Sequence, residues 1–349
     1  MKNVKLNSVN QKIIDAVIEQ AKIKCPNSLA LIGIYGSVAT GDEYAKSDLD
    51  LLILIEDDEG WKLGTGFILE DSKVGYDIYC TNWEGLLWDA ECHHAQLAKL
   101  MDSKIVYVNH QEALEKLTRL REQTKEFLQS EKRFERVDEL VEKAKVSYAD
   151  ACLREELGKV RVSAADAILY LLDAIMIFHG SYFRRGGKRV FLELSQFPLD
   201  ADFLDNMQKI ARSKDVTELR NLVKALILYA ESYVSREREL EEPSKDSISG
   251  TYEEMYSNWR NKVEEAAAAG DAFSSFMNMC SLQCMVSDIA SDVGIGTYDI
   301  MGAYDPDCLE ANVEIYDQFL ERYEKVYGKA GLQVNRYQNV DEFGRKYIS

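Results

Sequence analysis

Two short apolar runs near the start of the chain constrain its fold more than any other feature. The runs are Leu29–Ile34 and Leu49–Ile55, both rich in leucine and isoleucine and both too short for a stable helix. A polar loop that begins with Gly36-Ser37 separates them. This pattern predicts two buried strands of one sheet, joined by a solvent-exposed connection.

The first 110 residues are predicted to be mixed α/β. Apolar residues at helical spacing predict a first helix over residues 10–24. Thr81 and Glu84 have the spacing of a capping box, which predicts a second helix reaching about Leu100. Three more short runs predict further strands of the same sheet: Phe67–Leu69, Val74–Cys80 and Lys104–Asn109.

The rest of the chain is predicted to be helical. Apolar spacing and capping residues predict helices over Gln111–Gln129, Arg133–Lys159, Ser163–His179, Ala201–Ala211, Asp215–Leu240, Tyr252–Ala269, Ala272–Ser291 and Cys308–Tyr327. Glu241–Gly250 has the proline, serine and glycine content of a linker. We therefore predict an α+β protein with a small mixed-sheet domain (1–110), a helical bundle (111–242) and a helical C-terminal extension (251–349).

The charge of the chain argues against two classes of partner. Its 42 Lys and Arg residues face 60 Asp and Glu residues, so the formal net charge is −18. Nucleic acids and most membrane surfaces are anionic and would repel such a molecule, so neither is expected to bind. The acidic surface would attract cationic small molecules, although surplus carboxylates also simply keep a protein soluble.

The cysteines and the apolar stretches indicate a cytoplasmic protein. The seven cysteines include no C-x-x-C pair, and no signal peptide is evident, so we expect reduced thiols. The most apolar stretch, Ala164–Phe178, is shorter than the ~20 residues that cross a bilayer. It also contains Asp166 and Asp173, and we interpret it as a buried helix.

Three carboxylates are the candidate metal ligands. Asp48 and Asp50 are two residues apart at the start of a predicted strand, so their side chains project from the same face. Such a pair repels itself unless a cation lies between, and hard oxygen ligands suit Mg²⁺. Asp77 is a charged residue within the apolar strand Val74–Cys80, and we interpret it as the third member.

Gly36 and Ser37 form the candidate phosphate site. A glycine permits close approach of the backbone to a phosphate, and the N–H groups and hydroxyl that follow can donate to the anion. These residues and the three carboxylates, Asp48, Asp50 and Asp77, resemble in order and spacing the DNA polymerase β-like nucleotidyltransferase superfamily. The resemblance covers roughly residues 28–80.

The resemblance implies transfer of a nucleoside monophosphate, normally AMP from ATP, to an acceptor hydroxyl with loss of pyrophosphate. It implies two Mg²⁺ ions on Asp48 and Asp50, with Asp77 binding one ion or activating the acceptor, and the β and γ phosphates on Gly36 and Ser37. Many small members have an arginine where this chain has Thr40. Lys46, beside Ser47, is the candidate replacement for that cation.

A helical domain after the catalytic one resembles the kanamycin-type aminoglycoside nucleotidyltransferases. That resemblance implies a catalytic Glu and a phosphate-binding Lys four residues apart on one helix, which Glu155 and Lys159 match. The alternative is that these two residues form an ordinary surface ion pair. The acceptor implied is a hydroxyl-bearing small molecule, such as an aminoglycoside-like antibiotic.

Two further sets of charged residues are open to either a functional or a structural interpretation. Asp166 and Asp173, seven residues apart, share a helix face and either meet a cationic acceptor or serve only local pairing. The basic cluster that follows binds triphosphate if it faces the cleft and is otherwise a solvated loop. It contains Arg184, Arg185, Lys188 and Arg189.

Other features indicate structure rather than chemistry. His93 and His94 are adjacent within a predicted helix, so they point apart and are not expected to chelate a metal. The aromatic-rich C-terminal third is either a helical core or an interface of a homodimer. Two other functions remain open, namely AMP transfer to a protein hydroxyl and nucleotide binding without turnover.

Overall fold

A four-stranded mixed sheet lies at the centre of the N-terminal region in the computed structural model, which describes residues 6–44, 46–186, 189–236 and 240–348. The strand order is β5-β2-β1-β6. The strands are β1 (Leu29–Ile34), β2 (Leu51–Ile55), β5 (Cys80–Thr81) and β6 (Lys104–Val108). Strand β1 pairs antiparallel with β2 and β6, and β2 pairs parallel with β5. Every residue of β1 and β2 is buried, as the two apolar runs predict.

Helices cover both faces of this sheet. Ile32 and Ile53 pack with Val17 of α1 (Ser8–Lys24) on one face. Leu31 and Leu52 pack on the other face with three further helices. Those helices are α3 (Trp83–Ala90), α4 (Ala98–Met101) and α5 (Gln111–Gln129). The alternation of β side chains between two apolar layers explains why both strands are continuous hydrophobic runs.

The prediction of a single sheet is wrong. Strands β3 (Thr65–Leu69) and β4 (Val74–Ile78) form a separate antiparallel pair. No residue of β3 is fully buried, so this ribbon packs by one side only. The predicted strand Val74–Cys80 is interrupted at exposed Tyr79, after which only Cys80–Thr81 returns to pair with β2.

The predicted helix up to Leu100 is also interrupted. Asn82, rather than Thr81, caps α3 by accepting a hydrogen bond from the Gly85 N–H at 2.9 Å. The helix ends at Ala90, and Cys92 then adopts the left-handed conformation with φ 55°. Residues 91–97 therefore form a turn between α3 and α4.

The helical bundle belongs to the same compact unit as the sheet, Met1–Ser235. Its described helices are α5, α6 (Arg133–Leu153), α7 (Leu157–Phe178), α8 (Val190–Leu194), α9 (Ala201–Arg212) and α10 (Val216–Val234). The core of the bundle contains alanine and aliphatic side chains of α6, α7 and α10, among them Ala144, Ala164 and Val223. A short helix, α2 (Gly36–Thr40), follows β1.

The predicted helix Arg133–Lys159 is wrong, because α6 ends at Leu153 and α7 begins at Leu157. Arg220 donates hydrogen bonds to the carbonyls of Ala151, at 3.1 Å, and Arg154, at 2.5 Å. The last carbonyls of a helix have no N–H donor within the helix, and here the Arg220 guanidinium donates to them instead. The break lets α7 fold back and bury its apolar face on α6.

The second compact unit, Arg236–Ser349, is helical. Its described elements are α11 (Lys245–Ile248), α12 (Thr251–Met255), a π-helical turn (Tyr256–Arg260), α13 (Asn261–Ala269), α14 (Ala272–Asp292), a 3₁₀ turn (Met301–Ala303), α15 (Leu309–Lys329) and α16 (Val340–Ile348). Tyr316, Tyr323 and Met279 lie fully buried in its core. The segment interpreted as a linker contains the capped helix α11, with Ile248 buried in that core.

The predicted fold class, α+β with a mixed sheet followed by helices, is confirmed. The boundaries at residues 110 and 242 stay predictions. Among the described helices, none is both long and apolar enough to span a bilayer.

Candidate active site

A cavity of about 460 Å³ opens beside the ends of β1 and β2. Residues from four segments line it: 35–37, 47–50, 89–99 and 183–186. The first two segments come from the loop between β1 and β2, the third from α3 to α4, and the fourth from the chain after α7. The cavity therefore combines the predicted phosphate and carboxylate residues with part of the bundle.

Gly36 and Asp50 are in direct contact at the floor of this cavity. Gly36 has φ +65°, and a Cβ built on it would lie 1.9 Å from Asp50 Oδ2. The Tyr35 N–H donates to the Asp50 carbonyl at 3.1 Å, which fixes the two strand ends together. Only glycine gives both the left-handed backbone and the space for the carboxylate.

Asp48 and Asp50 line the cavity together with Ser37, whereas Asp77 does not. The β2–β5 register pairs Ile53 with Cys80 in parallel, and extending it back by three residues places Asp77 beside Asp50. In the structure, exposed Asp77 instead pairs with Gly66 on the separate ribbon.

Tyr35, which lines the cavity, is influenced by the charges of four aspartates. Burial, and to a smaller extent the negative charges of nearby aspartates, raise the pKa of the Tyr35 phenol to about 12. Those aspartates are Asp50, Asp89, Asp48 and Asp77.

The two carboxylates of Asp48 and Asp50 fit a Mg²⁺ ion that is bound together with a nucleotide. Mg²⁺ is usually held by one or two carboxylates, with phosphate oxygens and waters completing the octahedron. The contact of Asp50 with Gly36 leaves that carboxylate beside Ser37, where a phosphate is expected. Within the described ranges, no three His, Cys, Asp or Glu side chains are arranged to hold a metal ion by themselves.

Arg185 brings a guanidinium from the bundle to Thr40, the position at which many members of the family that the motif resembles have an arginine. Its Nη1 donates to Thr40 Oγ1 at 2.6 Å and to Asp42 Oδ1 at 2.5 Å. Arg189 Nη2 lies 2.6 Å from the other Asp42 oxygen. A hydrogen bond from Thr40 lowers the pKa of Asp42, and the two guanidinium charges lower it further. Asp42 therefore stays ionised and holds Arg185 at the cavity.

The basic cluster thus faces the cavity in part. Arg184 and Arg185 line it, and their main-chain N–H groups donate to the Glu193 carboxylate at 2.7 Å and 2.9 Å. Lys188 lies outside the described residues.

The cavity lining also contains a cluster of charged residues that was not predicted as functional, formed by Asp89, His94 and Lys99. Asp89 is only 5% exposed, with His94 Nε2 at 3.2 Å and Lys99 Nζ at 3.0 Å from its two oxygens. The prediction that His94 lies mid-helix is wrong, because the turn after α3 carries it to the cavity. The detectable signal was an aspartate in the apolar segment Leu86–Ala90.

Asp173 lies beneath the same turn, while Asp166 is exposed on α7. Burial raises the pKa of Asp173 to about 6, although hydrogen bonds from the Ala95 main chain and the Gln96 side chain partly oppose this increase. Among the described residues its Oδ1 has no hydrogen-bond partner. The two aspartates therefore do not form one cleft-facing pair, because the 91–97 turn covers only the second.

Glu155, Lys159 and Lys46 are exposed and do not line the cavity, whereas Ser47 does. Glu155 lies between α6 and α7, 3.2 Å from Arg220, so it does not share a helix with Lys159. Lys159 pairs with Glu156 at 2.5 Å. Catalytic roles for these residues stay predictions.

Comparison with known families agrees with this geometry. Residues 10–166 match the family model of the nucleotidyltransferase domain. The match covers somewhat less than half of the chain and is a similarity to that domain. The matched segment contains the sheet, both strand-end aspartates and Lys99, but ends before Arg184 and Arg185. Nothing in the match selects the kanamycin-type branch.

One solved structure resembles the chain weakly. It is a nucleotidyltransferase-like protein from Exiguobacterium sibiricum, 15% identical, with 75% of this chain and 92% of that chain covered and a TM-score of 0.31. A likeness at that level supports no argument about this molecule. No curated protein matches the chain.

Proposed function

We propose that the protein is a Mg²⁺-dependent nucleotidyltransferase that transfers AMP from ATP to a hydroxyl of a small-molecule acceptor and releases pyrophosphate. One observation carries the proposal. Gly36, Ser37, Asp48 and Asp50 line one cavity with Arg184 and Arg185, so the candidate metal ligands and the candidate phosphate donors lie together.

The chain's own residues supply binding and orientation. The Ser37 hydroxyl and the guanidinium of Arg185 would donate to the β and γ phosphates, and the Arg185 fork is well suited to phosphate oxygens. Asp48 and Asp50 would hold Mg²⁺, which neutralises charge that develops on the phosphates. Asp42 keeps Arg185 in place.

The transfer itself is an in-line displacement. The acceptor oxygen forms a bond to the α-phosphorus, while the bond from that phosphorus to the pyrophosphate oxygen breaks. The acceptor hydroxyl loses its proton to a base. Asp77 is the candidate: it does not line the cavity itself, but its charge raises the pKa of Tyr35, which does. The small size of the cavity favours a small-molecule acceptor, and aminoglycosides are the first class to test.

The test uses labelled ATP, Mg²⁺ and a panel of aminoglycosides and other hydroxyl compounds. Pyrophosphate release and a labelled acceptor are expected from wild type, and EDTA should abolish both. Asp48→Asn should lose transfer, while Asp71→Asn, an exposed aspartate in the β3–β4 turn, should retain it. Tight MgATP binding by wild type without pyrophosphate release would instead indicate a regulatory nucleotide-binding protein.

A further inference from the structure

The wall of the cavity formed by the 89–99 segment carries an ion cluster that the proposed reaction does not yet use. Asp89 is only 5% exposed, and burying a carboxylate is costly unless a partner of opposite charge or a hydrogen bond compensates it. Its Oδ2 accepts no well-aligned hydrogen bond among the described residues, so the Lys99 ammonium at 3.0 Å compensates it by charge. Lys99 and His94 both line the cavity.

Both ring nitrogens of His94 have partners within this cluster. Its Nδ1 accepts the Gln96 N–H at 3.0 Å, so the ring proton lies on Nε2, which faces Asp89 Oδ1 at 3.2 Å. Both ring nitrogens therefore have protein partners. The imidazole orients Asp89 and has no remaining atom to offer a substrate.

Lys99 differs from His94 because its ammonium group has three N–H donors, of which the pairing with Asp89 needs only one. Within the described ranges its one charged neighbour is Asp89, and its side chain is 25% exposed at the cavity. A buried ion pair contributes little to stability compared with apolar side chains of similar volume. A pair of this kind at a cavity wall is better explained by a need for a fixed cation there.

We propose that Lys99 binds a phosphate oxygen of the nucleoside triphosphate, and that Asp89 and His94 are positioning residues that hold its ammonium in place. This inference rests on the proposed function, since it names a contact of the same substrate. Lys99 and Arg185 then contact the triphosphate from two walls of one cavity of about 460 Å³. This gives Lys99 the phosphate role that the kanamycin-type resemblance assigned to Lys159.

The experiment measures binding of MgATP and of adenosine by titration calorimetry, without acceptor. Lys99→Met should weaken MgATP binding by about tenfold or more, the loss expected for a charge-assisted hydrogen bond, and leave adenosine binding nearly unchanged. Lys99→Arg should restore part of the MgATP affinity. Lys116→Met is the matched control, because Lys116 lies over the Trp83 ring and outside this cavity.

A second variant guards against misfolding, because Lys99→Met leaves the Asp89 charge buried without its partner. Asp89→Asn combined with Lys99→Met removes both charges and should show the same selective loss of MgATP binding. Asp89→Asn should change MgATP affinity more when Lys99 is present than when Met replaces it, which a merely structural role would not produce.

Three outcomes separate the two claims. Wild-type MgATP affinity in the double variant, or equal losses for adenosine and MgATP, would overturn the role of Lys99 alone. Selective loss of MgATP binding in a protein that transfers nothing would support Lys99 and overturn the proposed reaction. A wild-type protein that binds no nucleoside triphosphate would overturn both.

Discussion

The carboxylate of Asp50 occupies the space that a side chain on Gly36 would fill. The two residues approach so closely that a Cβ at Gly36 would lie 2.7 Å from the Asp50 Cγ as well as 1.9 Å from Oδ2. The glycine of the candidate phosphate site and an aspartate proposed to bind the metal are thus parts of one packing arrangement. A change at either residue must alter the other.

Gly36→Ala should therefore abolish most transferase activity. The added methyl group would displace Asp50, and a displacement of about 1 Å can cost about 10²-fold in rate. Gly41→Ala is the matched control, because Gly41 also has positive φ but has nothing within 4 Å of a built Cβ. Steady-state kinetics on both variants checks this, and equal activities would contradict the Gly36–Asp50 contact.

Arg185→Met should raise the KM for ATP by about tenfold or more, since it removes a charge-assisted phosphate contact. Arg189→Met provides the comparison, because Arg189 pairs with the same Asp42 carboxylate but does not line the cavity. Its effect on KM should be several-fold smaller. Similar KM values in the two variants would show that Arg185 only serves Asp42.

Asp173 should give wild type a pH dependence of stability that Asp173→Asn lacks. Burial raises its folded pKa from 3.8 to about 6, so the folded state holds the proton more tightly than the unfolded state. Stability from this group is complete below about pH 4 and is lost as pH rises to about 6. The loss is on the order of 3 kcal/mol.

Urea unfolding between pH 4 and pH 8 measures this dependence. The unfolding free energy of Asp173→Asn relative to wild type should increase across that window and then level off. Asp166→Asn is the control on the same helix, where the exposed carboxyl should leave the wild-type slope unchanged. A parallel pH profile for Asp173→Asn and wild type would exclude Asp173 as the titrating group.

Tyr316→Phe should destabilise the C-terminal unit by about 1 kcal/mol or more. The buried Tyr316 hydroxyl donates to the Met255 carbonyl at 2.7 Å, where α12 passes into the π-helical turn. Removing the hydroxyl leaves that carbonyl buried without this donor. Hydrogen exchange of α12 and α15 should become faster, whereas Tyr304→Phe, at a more exposed hydrogen bond, should change it little.

Local patterns predicted the two central strands of the sheet and part of the candidate site. Leu29–Ile34 forms β1 at the predicted bounds, and Gln111–Gln129 forms α5 at the predicted bounds, because burial and helical spacing are local signals. Asp48, Asp50 and Ser37 reach one cavity because they are fixed to the ends of two such strands. That part of the site follows from short-range chemistry.

The rest of the fold and of the candidate site depends on turns and long-range contacts that leave no pattern in the nearby sequence. Cys92 takes positive φ although it is not glycine, so the turn that carries His94 looked like continuous helix. The separate β3–β4 ribbon arises from an interruption at Tyr79, a residue that ordinarily favours strands. Arg220, far along the chain, ends α6, and no spacing rule near Glu155 anticipates it.

The hydrogen bond from Arg185 to Thr40 joins residues 145 positions apart. A ribosome therefore completes the acidic side of the pocket long before it makes the guanidinium that faces it. Helices α5 to α7 are synthesised before Arg185, so the nascent chain could not bind a triphosphate from both sides of the cavity until they had been made. Triphosphate binding by a nascent chain would then show that the sheet and the segment after α7 have packed together.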